Sequence, residues 1–375
     1  MPEAAAIPII DISAEEADQA QVAKELLFSW TRVAAAVEYG FIYIKNSGRD
    51  ISVEQIENAF NLSRTLFSSP LEDKQRCKIE KNNRGWSGMH TETLDPETQR
   101  VGDFKEGFNF GPFAGSKATQ PIPASIEPHQ AELAAFRFAC HSLCRKLLLL
   151  FGIGLGVSPP DFFSTAHAPE KPSGSILRFL YYPPPSSTPT ARPDQDVRAG
   201  AHSDYGSITL LFRLRGQAGL EILKTPSSPS PPEWAPVPVC PPGTEADPAS
   251  PILVNIGDLL SYWTNGLLRS TVHRVSFAGS DSNSDSSSTT TPNSESSTDP
   301  RYSLVYFCHP ADDTPLSAVP SERVRSFNGG DLADADAKTK NPYAERKVLT
   351  ANEHLQMRLR ASYLELYDRE DREKK

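Results

Sequence analysis

The chain is short of the features that mark secreted, membrane-spanning or nucleic-acid-binding proteins. Only five of its 375 residues are cysteine, an odd number that argues against a disulfide framework and for a reducing compartment. Basic residues number 38 against 47 acidic ones, a net charge of −9, so no positive field draws the chain to nucleic acid or to an anionic membrane. The longest apolar run, Leu147 to Val157, is interrupted by glycines and falls well short of the roughly 20 residues of a membrane span. The N-terminus shows no basic region followed by an apolar core and a small-residue cleavage site. Together these absences predict a cytoplasmic protein with a small-molecule partner, no nucleic acid and no membrane. At this length the chain can bury a substantial core as one large domain or two small ones.

The first half reads as helical. Apolar residues at helical spacing from Ala14 to Glu38 predict one helix, stopped by Gly40 and followed by a short strand, Phe41 to Ile44. Ser52 stands three residues before Gln55, a capping box that starts a helix running to about Phe67. Ile126 to Phe151 forms a third helix; its Cys140 and Cys144 flank His141 but read as small buried thiols on an apolar face rather than metal ligands. From Ser175 onward short β-like runs take over: 176–182, 207–214, 220–223, 252–256, 270–277 and 302–308. An α+β protein with a sandwich or barrel is expected, closed by a last helix from about Thr350 to Tyr367 with Leu355, Leu359 and Leu364 as its buried stripe. Two insertions interrupt the strands. Residues 225–250 are rich in Pro and Ser around Trp234 and read as a hairpin excursion. Residues 279–300 are almost wholly Ser, Thr, Asp and Asn and are expected to be disordered.

The stretch Ala201-His202-Ser203-Asp204-Tyr205 sets an imidazole and a carboxylate two residues apart on an expected strand, where alternate side chains share a face. Roughly one such H-x-[DE] triplet is expected by chance, and His90-Thr91-Glu92 is a rival with the composition of a loop. His202 and Asp204 differ in leading into the apolar run Ile208 to Phe212. His273, in a second β-like run, supplies a third ligand. Two histidines and a carboxylate are the facial set that suits non-haem Fe(II) with open positions for oxygen.

Arg301 and Ser303 alternate at the start of the run Leu304 to Phe307, so guanidinium and hydroxyl face one side of a strand. Such a pair can grip the distal carboxylate of a dicarboxylic cosubstrate such as 2-oxoglutarate, for which the planar fork of Arg is better matched than Lys. Taken alone, the spacing fits equally an ordinary surface ion pair beside a solvated serine. The strands of His273 and Arg301 are expected to pair in space across the 279–300 segment.

The chain resembles the isopenicillin N synthase-like branch of the Fe(II)/2-oxoglutarate-dependent dioxygenases. The resemblance rests on H-x-D at His202 and Asp204, S-T-V-H-R-V around His273 and R-x-S at Arg301 and Ser303. Further landmarks are Tyr39-Gly40-Phe41-Ile42-Tyr43 with Asn46, Pro70-Leu71-Glu72-Asp73-Lys74, Asn83-Arg84-Gly85-Trp86-Ser87, Lys105-Glu106, the run Leu177 to Pro183 and Asn255-Ile256-Gly257-Asp258. Within that family the motifs are most similar to those of the fungal thymine hydroxylases and their relatives. The resemblance implies a double-stranded β-helix, or jelly roll, spanning about 171–340, with an N-terminal helical and mixed region at 1–170 and a C-terminal helix at 341–375. It implies Fe(II) on His202, Asp204 and His273, and 2-oxoglutarate on Arg301, Ser303 and Tyr182, with O2 as co-reactant and ascorbate as a supporting reductant. Tyr205, Phe307 and Arg178 become candidates for gripping a flat polar substrate, and Asn83, Arg84 and Trp86 candidates on a lid loop. Leu180 stands where many plant members carry Asn, so another group must orient the metal end of the cosubstrate. The expected reaction is oxidation of a small organic molecule with release of succinate and CO2, as in fungal secondary metabolism. Residues around Lys105-Glu106 depart from the nucleobase-type relatives, which leaves a thymine-type methyl hydroxylase as one alternative; a cosubstrate-independent oxidase and a silent binding protein are others.

Overall fold

The computed structural model describes residues 3–13, 19–31, 40–188, 190–192, 195–224, 232–277, 299–327 and 348–362. Strands in chain order are β1 Ile9–Ile10, β2 Phe41–Ile44, β3 Gly85–Ser87, β4 Glu106–Phe110, β5 Phe113–Ala114, β6 Lys117–Ala118, β7 Ile176–Tyr182, β8 Ala199–His202, β9 Ile208–Arg213, β10 Leu220–Lys224, β11 Glu233–Pro236, β12 Ile252–Ile256, β13 His273–Val275 and β14 Arg301–Cys308. The helices are α1 Gln19–Thr31, α2 Val53–Phe67, α3 Leu71–Gln75, α4 Gln130–Gly154, α5 Phe162–Ala166, α6 Asp258–Trp263, α7 Glu322–Arg325 and α8 Ala351–Ser362.

The strands form two facing sheets, the jelly roll of an α+β protein. The larger runs β1-β2-β12-β9-β14-β7-β4-β3 and the smaller β11-β10-β13-β8, with β5 and β6 a separate hairpin. Strand periodicity divides the core. On β14, Leu304, Tyr306 and Cys308 face the helices, whereas Val305 and Phe307 face the smaller sheet; on β7, Leu177 and Phe179 pack outward while Leu180 and Tyr182 point in. The outer layer includes α4, whose Leu133, Phe136, Cys140, Leu143, Cys144, Leu147 and Leu150 are buried at the spacing of one helical face. Each such side chain contributes on the order of 1.5–3 kcal/mol by leaving water. The thiols of Cys140 and Cys144 are therefore core groups, as expected. The inner layer joins Phe41, Tyr43, Leu220, Ile222, Leu253 and Val275 from both sheets.

Most elements fall where the sequence puts them. Ser52 accepts from the backbone N–H of Gln55 and the Gln55 side chain returns the bond, so α2 carries the expected capping box. Helix α4 begins four residues later than expected because Pro128 holds Glu127–His129 in a 3-10 turn. The hairpin excursion is present as β11, whose Trp234 stands opposite Leu223 of β10 and lies under the Arg274 guanidinium, 4.1 Å from the ring centroid.

Two expectations are corrected. Strands β13 and β14 do not pair: β13 lies between β10 and β8, and β14 between β7 and β9, so His273 and Arg301 face each other from opposite sheets. Asp204 is not on the strand of His202, because β8 ends at His202 and Asp204 belongs to the following turn. The expected disorder at 279–300, the ends of the first helix and Leu364 fall largely or wholly outside the described residues.

Candidate active site

Between the sheets lies a cavity of about 120 Å³ whose walls include His202, Asp204, His273, Arg301, Ser303 and Tyr182. His202 closes β8 and His273 opens β13, directly opposite each other in register, with ring centroids 4.4 Å apart. Ligand atoms of His202, Asp204 and His273 all lie within 4.8 Å of one another, the only such group of His, Cys, Asp or Glu among the described residues. Each imidazole Nδ1 meets a backbone carbonyl, His202 that of Gly200 at 2.7 Å and His273 that of Thr271 at 3.1 Å. Donation from Nδ1 leaves the lone pair on Nε2. Those Nε2 atoms stand 3.9 and 3.7 Å from Asp204 Oδ1, too long for direct hydrogen bonds. Burial and the neighbouring His273 push the His202 pKa down to about 3, so its ring is neutral at working pH. Burial would raise the Asp204 carboxyl, but the two imidazoles and Asn255 hold it below the usual range.

Asp204 is positioned by the junction of β12 and α6. Asn255 donates its side-chain amide to Asp204 Oδ2 at 2.7 Å, leaving Oδ1 toward the histidines. The Asp258 N–H donates to the Asp204 carbonyl at 2.7 Å and the Ser203 hydroxyl to the Asp258 carboxylate at 3.0 Å. The chains approach so closely that a Cβ on Gly257 would lie 2.2 Å from the Gly206 carbonyl oxygen. Only glycine fits there.

Across the cavity, Arg301 and Ser303 are 2% and 1% exposed, so Arg301 is not on the surface, and it forms no ion pair among the described residues. Arg301 Nε donates to the Ala218 carbonyl at 2.9 Å and the guanidinium stacks 4.7 Å over the Tyr182 ring. Arg301 Nη1 and Ser303 Oγ are buried with no hydrogen-bond partner among the described residues. A buried donor left unpaired costs about 1–3 kcal/mol, more when charged. The donor set therefore fits an anion that the described chain does not supply.

Comparison with known proteins identifies the family. Residues 7–131 match the non-haem dioxygenase in morphine synthesis N-terminal family and residues 173–310 the 2OG-Fe(II) oxygenase superfamily. The UPF0676 protein of Schizosaccharomyces pombe is 37% identical over 319 residues, covering 84% of this chain and 86% of that protein. The 2-oxoglutarate-dependent dioxygenase frbA of a Dothideomycetidae species is 30% identical, with 75% and 80% covered. Full-length Neurospora crassa thymine hydroxylase, solved with α-ketoglutarate and 5-formyluracil, aligns at a TM-score of 0.67 and 26% identity over 96% of this chain and 99% of that one. The chain belongs to the 2OG-Fe(II) oxygenase superfamily. It is a dioxygenase that uses Fe(II) and 2-oxoglutarate and acts on a small molecule.

The remaining candidates separate in the oxygenase. Arg178, Tyr205, Phe307 and Asn83 line the same cavity as the histidines. Arg84 does not: it points into a different cavity. Trp86 also lies elsewhere, its indole N–H donating to Glu106 at 2.8 Å with Lys74 over the ring. Arg178 is ion-paired with Glu92, the residue whose H-x-E triplet looked like loop composition. Glu92 is in fact 3% exposed, whereas His90 bonds the Gly102 carbonyl on the surface. Lys105, also on the cavity wall, pairs with Asp103 and lies 3.2 Å from Glu92. Burial would discharge this lysine, but the two carboxylates keep its pKa raised. This charge cluster escaped the sequence because Glu92 and Arg178 meet Lys105 and Asp103 only in the folded chain; burial of charge in pairs was the one available signal. Helix α8 adds Leu355 and Leu359 to the rim, and its Arg358 reaches Asp258 at 2.9 Å, Ser203 Oγ at 3.3 Å and the Tyr205 ring at 5.0 Å. Among the described residues no helix is long and apolar enough to cross a membrane.

Proposed function

We propose that His202, Asp204 and His273 hold the Fe(II), and that Arg301 and Ser303, with Tyr182 beside them, hold the distal carboxylate of 2-oxoglutarate. The observation that carries this reading is the pair of buried, unpartnered groups, Arg301 Nη1 and Ser303 Oγ, facing the two-histidine, one-carboxylate cluster across one small cavity. When bound, iron and 2-oxoglutarate supply the oxidising equivalents: with O2 the cosubstrate goes to succinate and CO2 while a substrate C–H bond is oxidised. The protein's part is placement. The backbone carbonyls of Gly200 and Thr271 fix the histidine tautomers, and Asn255 aims the Asp204 carboxylate. Leu180 offers the metal end of the cosubstrate no hydrogen bond.

The substrate is read from the rest of the cavity. Tyr205 and Phe307 offer aromatic faces, Leu355 and Leu359 apolar ones, Asn83 and Asn109 amide donors and acceptors, and the charges of Arg178 and Lys105 on the wall are balanced by Glu92 and Asp103 paired with them. Such a surface suits a flat, neutral molecule with both kinds of hydrogen-bonding edge. A cytoplasmic role in fungal secondary metabolism is the leading reading. Pyrimidine methyl oxidation is the second, favoured by Arg178, Tyr205 and Phe307 meeting in one cavity and by the structural likeness to a hydroxylase solved with thymine. The test is succinate release on incubation with Fe(II), ascorbate, 2-oxoglutarate and a panel of candidate substrates including thymine. Substrate-stimulated succinate in the wild type and its loss in Arg301→Ala are expected; turnover indifferent to 2-oxoglutarate would favour a cosubstrate-independent oxidase.

A further inference from the structure

A second cavity, of about 500 Å³, lies on the other side of the Asn83–Arg84 turn, so that Asn83 faces the active site and Arg84 faces outward. Its wall carries Arg84, Arg137 and Lys171 against Glu170 and Asp312, and Lys171 lies 4.0 Å from Asp313, so the two guanidiniums are the cations it offers to a ligand. Among the described residues the Arg84 guanidinium makes no side-chain hydrogen bond or ion pair within 4.0 Å, and the opposite charge that acts on it is that of Asp312. Arg137 gives Nη2 to the Ser175 carbonyl at 3.2 Å and lies 5.8 Å from the Tyr306 ring centroid, while its Nε is buried and unpartnered. Burial lowers the Arg84 pKa, Arg137 lowers it further, and Asp312 opposes only in part. Burial also raises the Asp312 carboxyl, and Arg84 opposes that rise. His141 has no donor to spare, because Nε2 serves the His167 carbonyl and Nδ1 meets the Tyr306 hydroxyl, each at 2.9 Å.

The rim is apolar. Phe113 and Phe138 stand beside Pro112 and Pro169, and Phe138 is 63% exposed although it borders a cavity. Two neighbouring guanidiniums, one with a buried unmet N–H, call for a planar anion, and the exposed Phe138 ring calls for an apolar body attached to it. We propose that this cavity is a second ligand site, separate from the iron cavity, which binds a small aromatic carboxylate with its carboxyl group between Arg84 and Arg137. The reading is independent of what the active site oxidises.

Benzoate is the probe, added to the full-length, iron-loaded protein under anaerobic conditions with one equivalent of 2-oxoglutarate to fill the cosubstrate position, and the Arg84 variants separate this site from the iron cavity. Calorimetry is expected to show saturable binding to the wild type, weakened about tenfold or more by Arg84→Gln and largely kept in Arg84→Lys. Benzamide, equal in shape but uncharged, should not bind. An unchanged melting temperature for Arg84→Gln shows that the variant folds; Arg137→Gln is the secondary variant, since Arg137 also supports Ser175 and Tyr306. The proposal is overturned by no saturable binding of benzoate, by equal binding of benzamide, or by unaltered affinity in Arg84→Gln. Tighter binding of inorganic phosphate than of benzoate would overturn the carboxylate assignment.

Discussion

At the scale of single residues, the account turns on groups that are satisfied everywhere except toward the cavity. Arg301 is held by the Ala218 carbonyl through Nε and by the Tyr182 ring, which leaves Nη1 free to take a ligand oxygen. Removing one partner of a buried ionic pair costs about 3–5 kcal/mol, so Arg301→Ala should raise the KM for 2-oxoglutarate roughly a hundredfold or more. Ser303→Ala removes one hydrogen bond of about 1 kcal/mol and should raise it several-fold. Initial rates against 2-oxoglutarate concentration check both, and an unchanged KM in Arg301→Ala would mean the cosubstrate lies elsewhere. These residues were legible because H-x-D and R-x-S are local spacings that survive folding. Asn255-Ile256-Gly257-Asp258 was legible as a landmark but not in its role, since its contacts with the Asp204 turn bridge strands far apart in sequence. The charge cluster of Glu92, Lys105 and Asp103 was not legible at all, and Asn83 and Arg84, candidates on one lid loop, line different cavities because these sequence neighbours point to opposite sides.

Among the elements, α8 is one whose docking depends on pH. His354 on α8 and His309 after β14 are each 4% exposed, and their Nδ1 atoms are buried with no hydrogen-bond partner among the described residues. Burial pushes their pKa values down to about 4 and about 3, with Arg358 adding to the first and His354 to the second. Both rings are neutral in the fold but bind protons near pH 6.5 in the unfolded chain. Between that value and about 4 the unfolded state carries more protons, so stability should fall as pH falls, by at most about 1.4 kcal/mol per pH unit for each imidazole. Urea midpoints of the metal-free protein at about pH 7 and about pH 5.5 check this slope, and His354→Gln should flatten it; a slope unaltered by that substitution would contradict the assignment. Arg358 is only partly buried, so Arg358→Ala should cost on the order of 1 kcal/mol or less in stability. It should instead weaken substrate affinity through Tyr205 while leaving the 2-oxoglutarate KM alone. Element boundaries were readable where local chemistry set them, as at Ser52, and misjudged where tertiary packing did: the α4 helix continues through Gly152 because that face is buried against neighbouring elements.

For the molecule as a whole, two sheets of unequal size meet so that the proposed cosubstrate grip, Arg301 and Ser303, and the two histidines of the proposed metal cluster come from opposite layers. Strands β2, β3 and β4 of the N-terminal region complete the larger sheet rather than standing apart. The 279–300 segment joins β13 of one sheet to β14 of the other, and no described cavity-lining residue comes from it. Loop length changes closure cost only slowly, so deletion of Asp281 to Ser297 should leave turnover intact; lost iron binding in that deletion would give the segment a structural role. The jelly roll was foreseeable from many short strands and the motif order, whereas the pairing of β13 was not, because two β-like runs in sequence do not say which sheet each joins. The central claim is that His202, Asp204 and His273 share one ferrous ion. Anaerobic equilibrium dialysis with Fe(II), read as metal per chain for the wild type beside Asp204→Ala, tests it most directly. One equivalent in the wild type and none in a variant of unchanged circular dichroism is the expected result, and a full equivalent retained by Asp204→Ala would contradict it.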